Sequence, residues 1–214
     1  MLKKTKRFGV LAALAAAMVL SGSTSAIAEG QTPIDGIKVA ERVFSSPDPK
    51  AAYTALPPAE REAFTAATAV AKVETEVVGT GLAGNEGKRV NSLKEALEAD
   101  GCWYVSFRGA GKGLTGNTLY SYWQHTAICV SNGRVYHVWV DNVGGETSTP
   151  GWRIDKDPIS WTANPGWEGR GVAQYYFVLG AGPWDIAHPT TCLQGRVNAD
   201  GVHWLPSNSC NIGD

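Results

Sequence analysis

The sequence predicts a mainly β protein, an antiparallel sandwich or barrel-like domain preceded by a short helical segment. Five runs rich in aromatic and β-branched residues lie between residues 102 and 179, and Gly-rich turns separate them. All eight Trp, all four Cys and all four His lie at or beyond Cys102. Several short strands joined by such turns are typical of sandwiches and barrels. The β domain is therefore expected at residues 101–214.

The first 28 residues have the order of a secretory signal peptide. The basic stretch MLKKTKR precedes an apolar run of about 13 residues, and small residues follow up to Ala28. A helix that crosses a bilayer needs about 20 apolar residues, so this run is too short for a stable membrane anchor. The pattern favours cleavage between Ala28 and Glu29 and an extracellular protein.

Residues 29–79 are predicted to form a helical segment, and residues 80–100 a linker. Asp48 can cap a helix that begins at Pro49, and Pro57-Pro58 ends this helix and begins the next. Residues 73–77 also alternate between apolar and polar, so a strand remains an alternative there. Apolar residues at steps of three or four give the second helix one apolar face: Phe64, Ala67, Val70, Val73 and Val77.

The charge distribution argues against several classes of partner. The formal net charge is −1, and no cluster of basic residues follows the leader. Nucleic acid and anionic membrane surfaces are therefore not expected as partners. The stretch GAGKGLT at 109–115 lacks the Ser or Thr that follows the Lys of a phosphate loop, so no nucleotide cofactor is expected.

The stretch QHTAICVSNGRVYH at 124–137 predicts a β-hairpin whose register decides where two histidines lie. Asn132-Gly133 is a strong signal for a two-residue turn. A two-residue loop would place His125 and His137 on opposite faces of the sheet. A three-residue loop, Ser131 to Gly133, would slip the register by one and make them near neighbours on one face.

This hairpin resembles the histidine hairpin of the circularly permuted papain-like hydrolases, which include lecithin:retinol acyltransferase and bacterial cell-wall amidases. The matching residues run from His125 through Asn132-Gly133 to His137. The resemblance implies a cysteine amidase or peptidase in which His125 is the general base, His137 orients it, and Cys192 is the nucleophile. A cysteine beside a histidine that a third group orients is a chemically coherent arrangement.

Four cysteines in a secreted chain usually form two disulfides, and three pairings are possible. If the strand that begins at Cys102 pairs antiparallel with the strand that contains Cys129, these two residues come to lie opposite each other. Cys192 would then pair with Cys210. This pairing is favoured, and it would leave Cys192 without a thiol.

A second resemblance is to a group of secreted actinobacterial proteins of unknown function. It is carried by Cys102-Trp103, by residues 116–124, by Cys129 to Gly133 and by Gly145 to Trp152. It implies an extracellular, disulfide-bonded β domain, and it assigns no catalytic residue.

The remaining candidate sites involve tryptophans and one possible metal cluster. Trp152, Trp167 and Trp184 each follow a Pro/Gly turn, so they can present rings to a sugar or to another protein. Asp185, His188 and Cys192 have side chains that can bind a metal ion, but no metal site is expected there, because Pro189 interrupts the spacing and Cys192 is expected to be oxidised. We therefore expect an extracellular protein that binds a cell-wall glycan or a secreted protein, without a metal or cofactor.

Overall fold

The computed structural model describes residues 33–83, 101–201 and 206–213. The leader expected at 1–28 and residues 84–100 of the expected linker lie outside these ranges. Three helices come first: α1 (Gly36–Phe44), α2 (Pro49–Thr54) and α3 (Pro58–Thr68). The strands follow: β1 (Lys72–Leu82), β2 (Gly101–Lys112), β3 (Thr118–Ser131), β4 (Arg134–Thr147), β5 (Trp152–Ala163), β6 (Glu168–Ala181), β7 (Trp184–Ala187) and β8 (Thr190–Asn198).

The helices follow their capping residues. The Asp48 carboxylate accepts a hydrogen bond from the Ala51 amide at 3.0 Å, and Pro49 is the first residue of α2, as the sequence predicts. Pro58 begins α3, which ends at Thr68 rather than at Gly79. The expected helical segment is therefore correct only in its first part. The helices bury a small apolar core of their own: Val39, Ala40, Val43, Leu56 and Phe64.

Residues 72–82 form a strand, the alternative that the alternating pattern at 73–77 left open. β1 pairs antiparallel with β2, with Val77 opposite Phe107. Val73 and Val77 pack against the core between the sheets. The predicted boundary after residue 79 thus falls inside β1, and the described residues from Ile34 onward form one compact unit.

Two antiparallel sheets form a sandwich, which confirms the predicted fold class. The first sheet has the order β1-β2-β3-β4. In the second sheet β5 lies on one side of β6, and β7 and then β8 lie along the other side. Within the described residues no helix is long and apolar enough to cross a membrane.

The core between the sheets is rich in aromatic side chains. Tyr120 stacks on Phe177 with 4.0 Å between ring centroids, and Tyr122 packs against Tyr175 at 4.8 Å. The Tyr175 hydroxyl donates to the Trp123 carbonyl at 2.7 Å. Burial raises the pKa of Tyr120 to about 12, and it also raises the pKa of Tyr122. These phenols therefore stay neutral, and the Tyr122 hydroxyl lies 3.2 Å from the Thr191 hydroxyl.

Glycines let the two sheets approach closely. Gly171 and Gly195 lie opposite each other on β6 and β8. A Cβ on Gly195 would lie 2.1 Å from the Phe107 ring and 2.6 Å from the Thr126 hydroxyl, both on the first sheet. No L-side chain fits there without moving a sheet.

The two disulfides have the pairing that the sequence favoured. Cys102 and Cys129 lie directly opposite each other on β2 and β3 and are bonded. Cys192 on β8 is bonded to Cys210, which holds the C-terminal segment against the second sheet. Two disulfides indicate an oxidising compartment.

We expect Gly195→Ala to lower the free energy of unfolding by about 2 kcal/mol, because the added methyl group overpacks the contact with Phe107. Urea unfolding measures the change. Gly79→Ala is the matched control, since a Cβ on Gly79 meets nothing within 4 Å. Equal stability of the two variants would contradict the close contact between the sheets.

Replacing Cys192 and Cys210 together by Ala should lower the free energy of unfolding by about 3 kcal/mol. The bond closes a loop with a sequence separation of 18 residues, and its loss increases the entropy of the unfolded chain. Urea unfolding without reductant measures the loss. A change below about 1 kcal/mol would show that the C-terminal segment does not depend on this bond.

Candidate functional site

The register of β3 against β4 differs from both sequence alternatives. The turn is the two-residue Asn132-Gly133, with φ of 51° and 70°. Val130 lies opposite Val135, but Cys129 lies opposite His137, so Tyr136 is an extra residue in a β-bulge. The bulge shifts the register by one residue after the turn, which the two-residue interpretation did not foresee.

Both histidines consequently lie on the outer face of the first sheet, but they are not neighbours. His125 lies opposite Asp141, and His137 lies opposite Cys129. Four residues of β3 separate the two positions, which corresponds to about 13 Å. The direct histidine pair of the hydrolase interpretation is therefore absent from this arrangement.

A second bulge brings an amide to His125. His125 lies opposite Asp141 and Trp123 lies opposite Gly144, so β4 holds one extra residue between these pairs. Asn142 lies in this bulge with a φ of 46°, in the left-handed region that Asn tolerates better than most residues. Its amide nitrogen reaches His125 Nε2 at 2.9 Å.

His125 is held on three sides. Its Nδ1 lies 3.2 Å from Oδ1 of Asp141, and its ring stacks on Tyr104 with 4.3 Å between centroids and 8° between planes. A proton on Nδ1 would let the ring donate to the Asp141 carboxylate and accept from the Asn142 amide at Nε2. The His125 side chain is 21 % exposed, so the ring edge still reaches solvent.

The contacts continue from Asp141 to the second histidine. The Trp139 indole nitrogen donates to Oδ2 of Asp141 at 2.8 Å. The Trp139 ring in turn stacks on His137 with 5.2 Å between centroids. We call this connected set the outer-face network: Tyr104, His125, His137, Trp139, Asp141 and Asn142.

Glycines position two further rings beside the network. The ring of Tyr104 lies over Gly81, where a Cβ would come within 2.5 Å of it. Trp123 lies over Gly144 in the same way, at 2.6 Å. Both rings therefore cover a glycine of the neighbouring strand, and both are partly exposed to solvent.

The structure separates Cys192 from the two histidines. Cys192 lies in the second sheet and is fully buried in its bond to Cys210, so it carries no thiol. Ser106 lies opposite His125 on β2, which creates a Ser-His-Asp row across three strands with Asp141. Both ring nitrogens of His125, however, face groups of β4. Neither is placed to take a proton from Ser106.

The three tryptophans selected from the sequence lie in different environments. Trp152 is 6 % exposed and belongs to the core, where its indole nitrogen donates to the Thr68 carbonyl at 3.1 Å. Trp184 packs against Phe44 and lines, with Trp152, an apolar groove of about 740 Å³. Trp167 is 52 % exposed and lies apart from the groove, beside Arg170. They do not form one surface.

Asp185, His188 and Cys192, the residues with metal-binding side chains, each contact or bond another residue of the protein. Asp185 accepts a hydrogen bond from Arg153 at 2.6 Å, and His188 Nε2 lies 3.5 Å from its other oxygen. Cys192 is in a disulfide. These contacts give each group a partner other than a metal ion.

Sequence reasoning missed four residues of the network: Tyr104, Trp139, Asp141 and Asn142. The alternation of RVYHVWVD contains the relevant signal. Val138 and Val140 must face the core together, which sends His137, Trp139 and Asp141 to the other face.

Three comparisons with known proteins found no match to this chain among family models, curated proteins or solved structures. The assignment of function therefore depends on the chemistry of the outer face.

Replacing Asp141 by Ala should release both Trp139 and His125, at a cost of about 0.5–1 kcal/mol in unfolding free energy. In ¹H–¹⁵N spectra we expect the Trp139 indole signal to shift and its hydrogen exchange to become faster. The control is Asp155→Ala, an exposed carboxylate on β5. An unchanged indole signal in Asp141→Ala would contradict the hydrogen bond.

Proposed function

We propose that this protein is secreted and binds a cell-wall glycan on the outer face of its first sheet. The observation that carries the proposal is the set of partly exposed rings, Tyr104, Trp123 and Trp139, beside the Asp141 carboxylate and the Asn142 amide. The two disulfides and the leader-like N-terminus support an extracellular location.

The rings suit the apolar faces of sugars because they are held in place before a ligand arrives. Tyr104 is stacked on His125 and lies over Gly81, while the indole nitrogen of Trp139 is bonded to Asp141. A ring that is already ordered loses little conformational entropy on binding. Pre-positioned aromatic rings therefore favour a rigid ligand such as a pyranose chain.

Polar groups next to the rings supply partners for sugar hydroxyls. Asp141 is 49 % exposed, so each of its oxygens can accept a further hydrogen bond. The exposed amide of Asn142 carries both a donor and an acceptor. Ligand sites commonly combine such a few polar groups with an aromatic lining.

The same features favour a glycan over a protein partner. The centre of a protein interface is apolar and depleted of charged residues. Here the charged Asp141 and the polar His125 lie between the rings of Tyr104 and Trp139. An alternation of rings and polar groups matches the alternating apolar faces and hydroxyl edges of a polysaccharide.

Trp139→Ala and Tyr104→Ala should each weaken binding to insoluble peptidoglycan about tenfold, which corresponds to about 1.4 kcal/mol for loss of a central aromatic contact. Co-sedimentation across a range of peptidoglycan concentrations gives the apparent Kd. Thermal unfolding of each variant checks that it is folded.

Trp167→Ala is the matched control, because Trp167 is an exposed tryptophan at the start of β6 in the other sheet. It should bind as the wild type does. A loss of binding in Trp167→Ala with none in Trp139→Ala would move the site away from the outer face. No binding of the wild type to peptidoglycan would reject the glycan, and a secreted protein partner would then replace it.

A further inference from the structure

A charged trough continues the outer face beyond the rings. It encloses about 650 Å³ between β1, β2 and β3, and Arg108 and Ser121 are among its lining residues. Arg108 lies directly opposite Trp123, so the trough and the rings are contiguous on one face. A ligand that lies across the rings therefore extends into the trough.

Two of the four charged residues that line the trough, Glu74 and Arg108, form ion pairs with residues outside the lining. Glu74 lies 2.6 Å from the Lys72 ammonium, whose hydrogen bond and charge lower the pKa of Glu74. Arg108 bonds Oε1 of Glu146 at 3.0 Å, and the buried Ser121 hydroxyl donates to the same oxygen at 2.7 Å. These pairs offset the charges of Glu74 and Arg108.

The two other charged residues that line the trough, Lys112 and Glu76, lie at its opposite ends and are not in such pairs. Lys112 donates a hydrogen bond to the Thr118 hydroxyl at 2.7 Å. Over the described ranges, neither Lys112 nor Glu76 lies within ion-pair distance of an opposite charge, although the charge of Lys112 also contributes to the lowered pKa of Glu74. A cation at one end and an anion at the other form a site for a ligand that carries both charges.

The separation of these two charges sets the size of that ligand. Glu76 lies opposite Arg108, and Lys112 lies four residues further along β2. This distance is about 13 Å along the strands, which an extended peptide of about four residues spans.

We infer that the trough binds a charged peptide carried by the glycan, with its carboxylate at Lys112 and a side-chain ammonium at Glu76, because the amide that joins the peptide to the sugar uses its amino terminus. The inference rests on the proposed glycan-binding function and narrows its ligand to a glycan with peptide substituents. The rings of the outer face take the sugars, and the trough takes the peptide.

The test compares intact peptidoglycan with the same polymer after an amidase has removed its stem peptides. The wild type should bind the intact polymer about fivefold more tightly. Lys112→Met and Glu76→Gln should each lose about threefold on the intact polymer, the size of one exposed ion pair, and nothing on the stripped polymer. Lys38→Met is the control, since Lys38 is an exposed lysine on α1.

The outcomes separate the two proposals. Wild-type binding to neither polymer would overturn the glycan-binding function and the peptide inference with it. Equal wild-type binding to both polymers, with variants that match the wild type, would overturn the peptide inference alone. Equal losses of the variants on both polymers would also overturn it, because the two charges would then contact the glycan itself.

Discussion

The register of β3 against β4 determines what the protein presents to solvent. Without the bulge at Tyr136, the alternation continued from the turn would send Val138 and Val140 outward and His137 and Trp139 toward the core. The core excludes that arrangement, because Val138 packs toward Ile128 and Gly169 between the sheets. One unpaired, exposed residue beside the turn is a smaller cost than two solvated valines and a buried histidine.

Glycines make room for side chains of the first sheet on both its inner and its outer side. On the inner side, Gly171 and Gly195 of the second sheet make room for Phe107 and Thr126. On the outer side, Gly81 and Gly144 make room for the rings of Tyr104 and Trp123. A glycine covered by an aromatic ring from the neighbouring strand loses its solvent-exposed backbone, so the ring stabilises the strand and is itself held in place.

Local chemistry accounts for the parts of the fold that the sequence predicted. Asp48-Pro49 caps a helix and Asn132-Gly133 forms a hairpin turn because a few neighbouring residues decide each feature. The pairing of Cys102 with Cys129 followed from that same hairpin logic. β1 was ambiguous because its Val and Thr residues satisfy a helical spacing as well as a strand alternation, and only pairing with β2 distinguishes them.

The candidate site was harder to predict from the sequence, because its residues are brought together by two β-bulges that no local sequence pattern indicates. His125 was singled out for its spacing from His137, yet its partners are Asp141 and Asn142 from the middle of β4. Trp152, Trp167 and Trp184 shared a turn signature, but that signature does not report burial. Burial depends on which side of a strand faces the other sheet, and a single extra residue reverses that side.

The contacts of His125 differ from those that a general base at this face would need. A general base needs a ring nitrogen directed at the proton that it removes. In His125, one nitrogen faces the Asp141 carboxylate and the other accepts from the Asn142 amide, so both are used to orient groups on the surface. The imidazole thus stacks on Tyr104 and contacts Asp141, which in turn accepts a hydrogen bond from Trp139. Because the imidazole of His125 holds the Tyr104 ring and the Asp141 carboxylate in place, its role is consistent with the proposed binding of a rigid polar polymer.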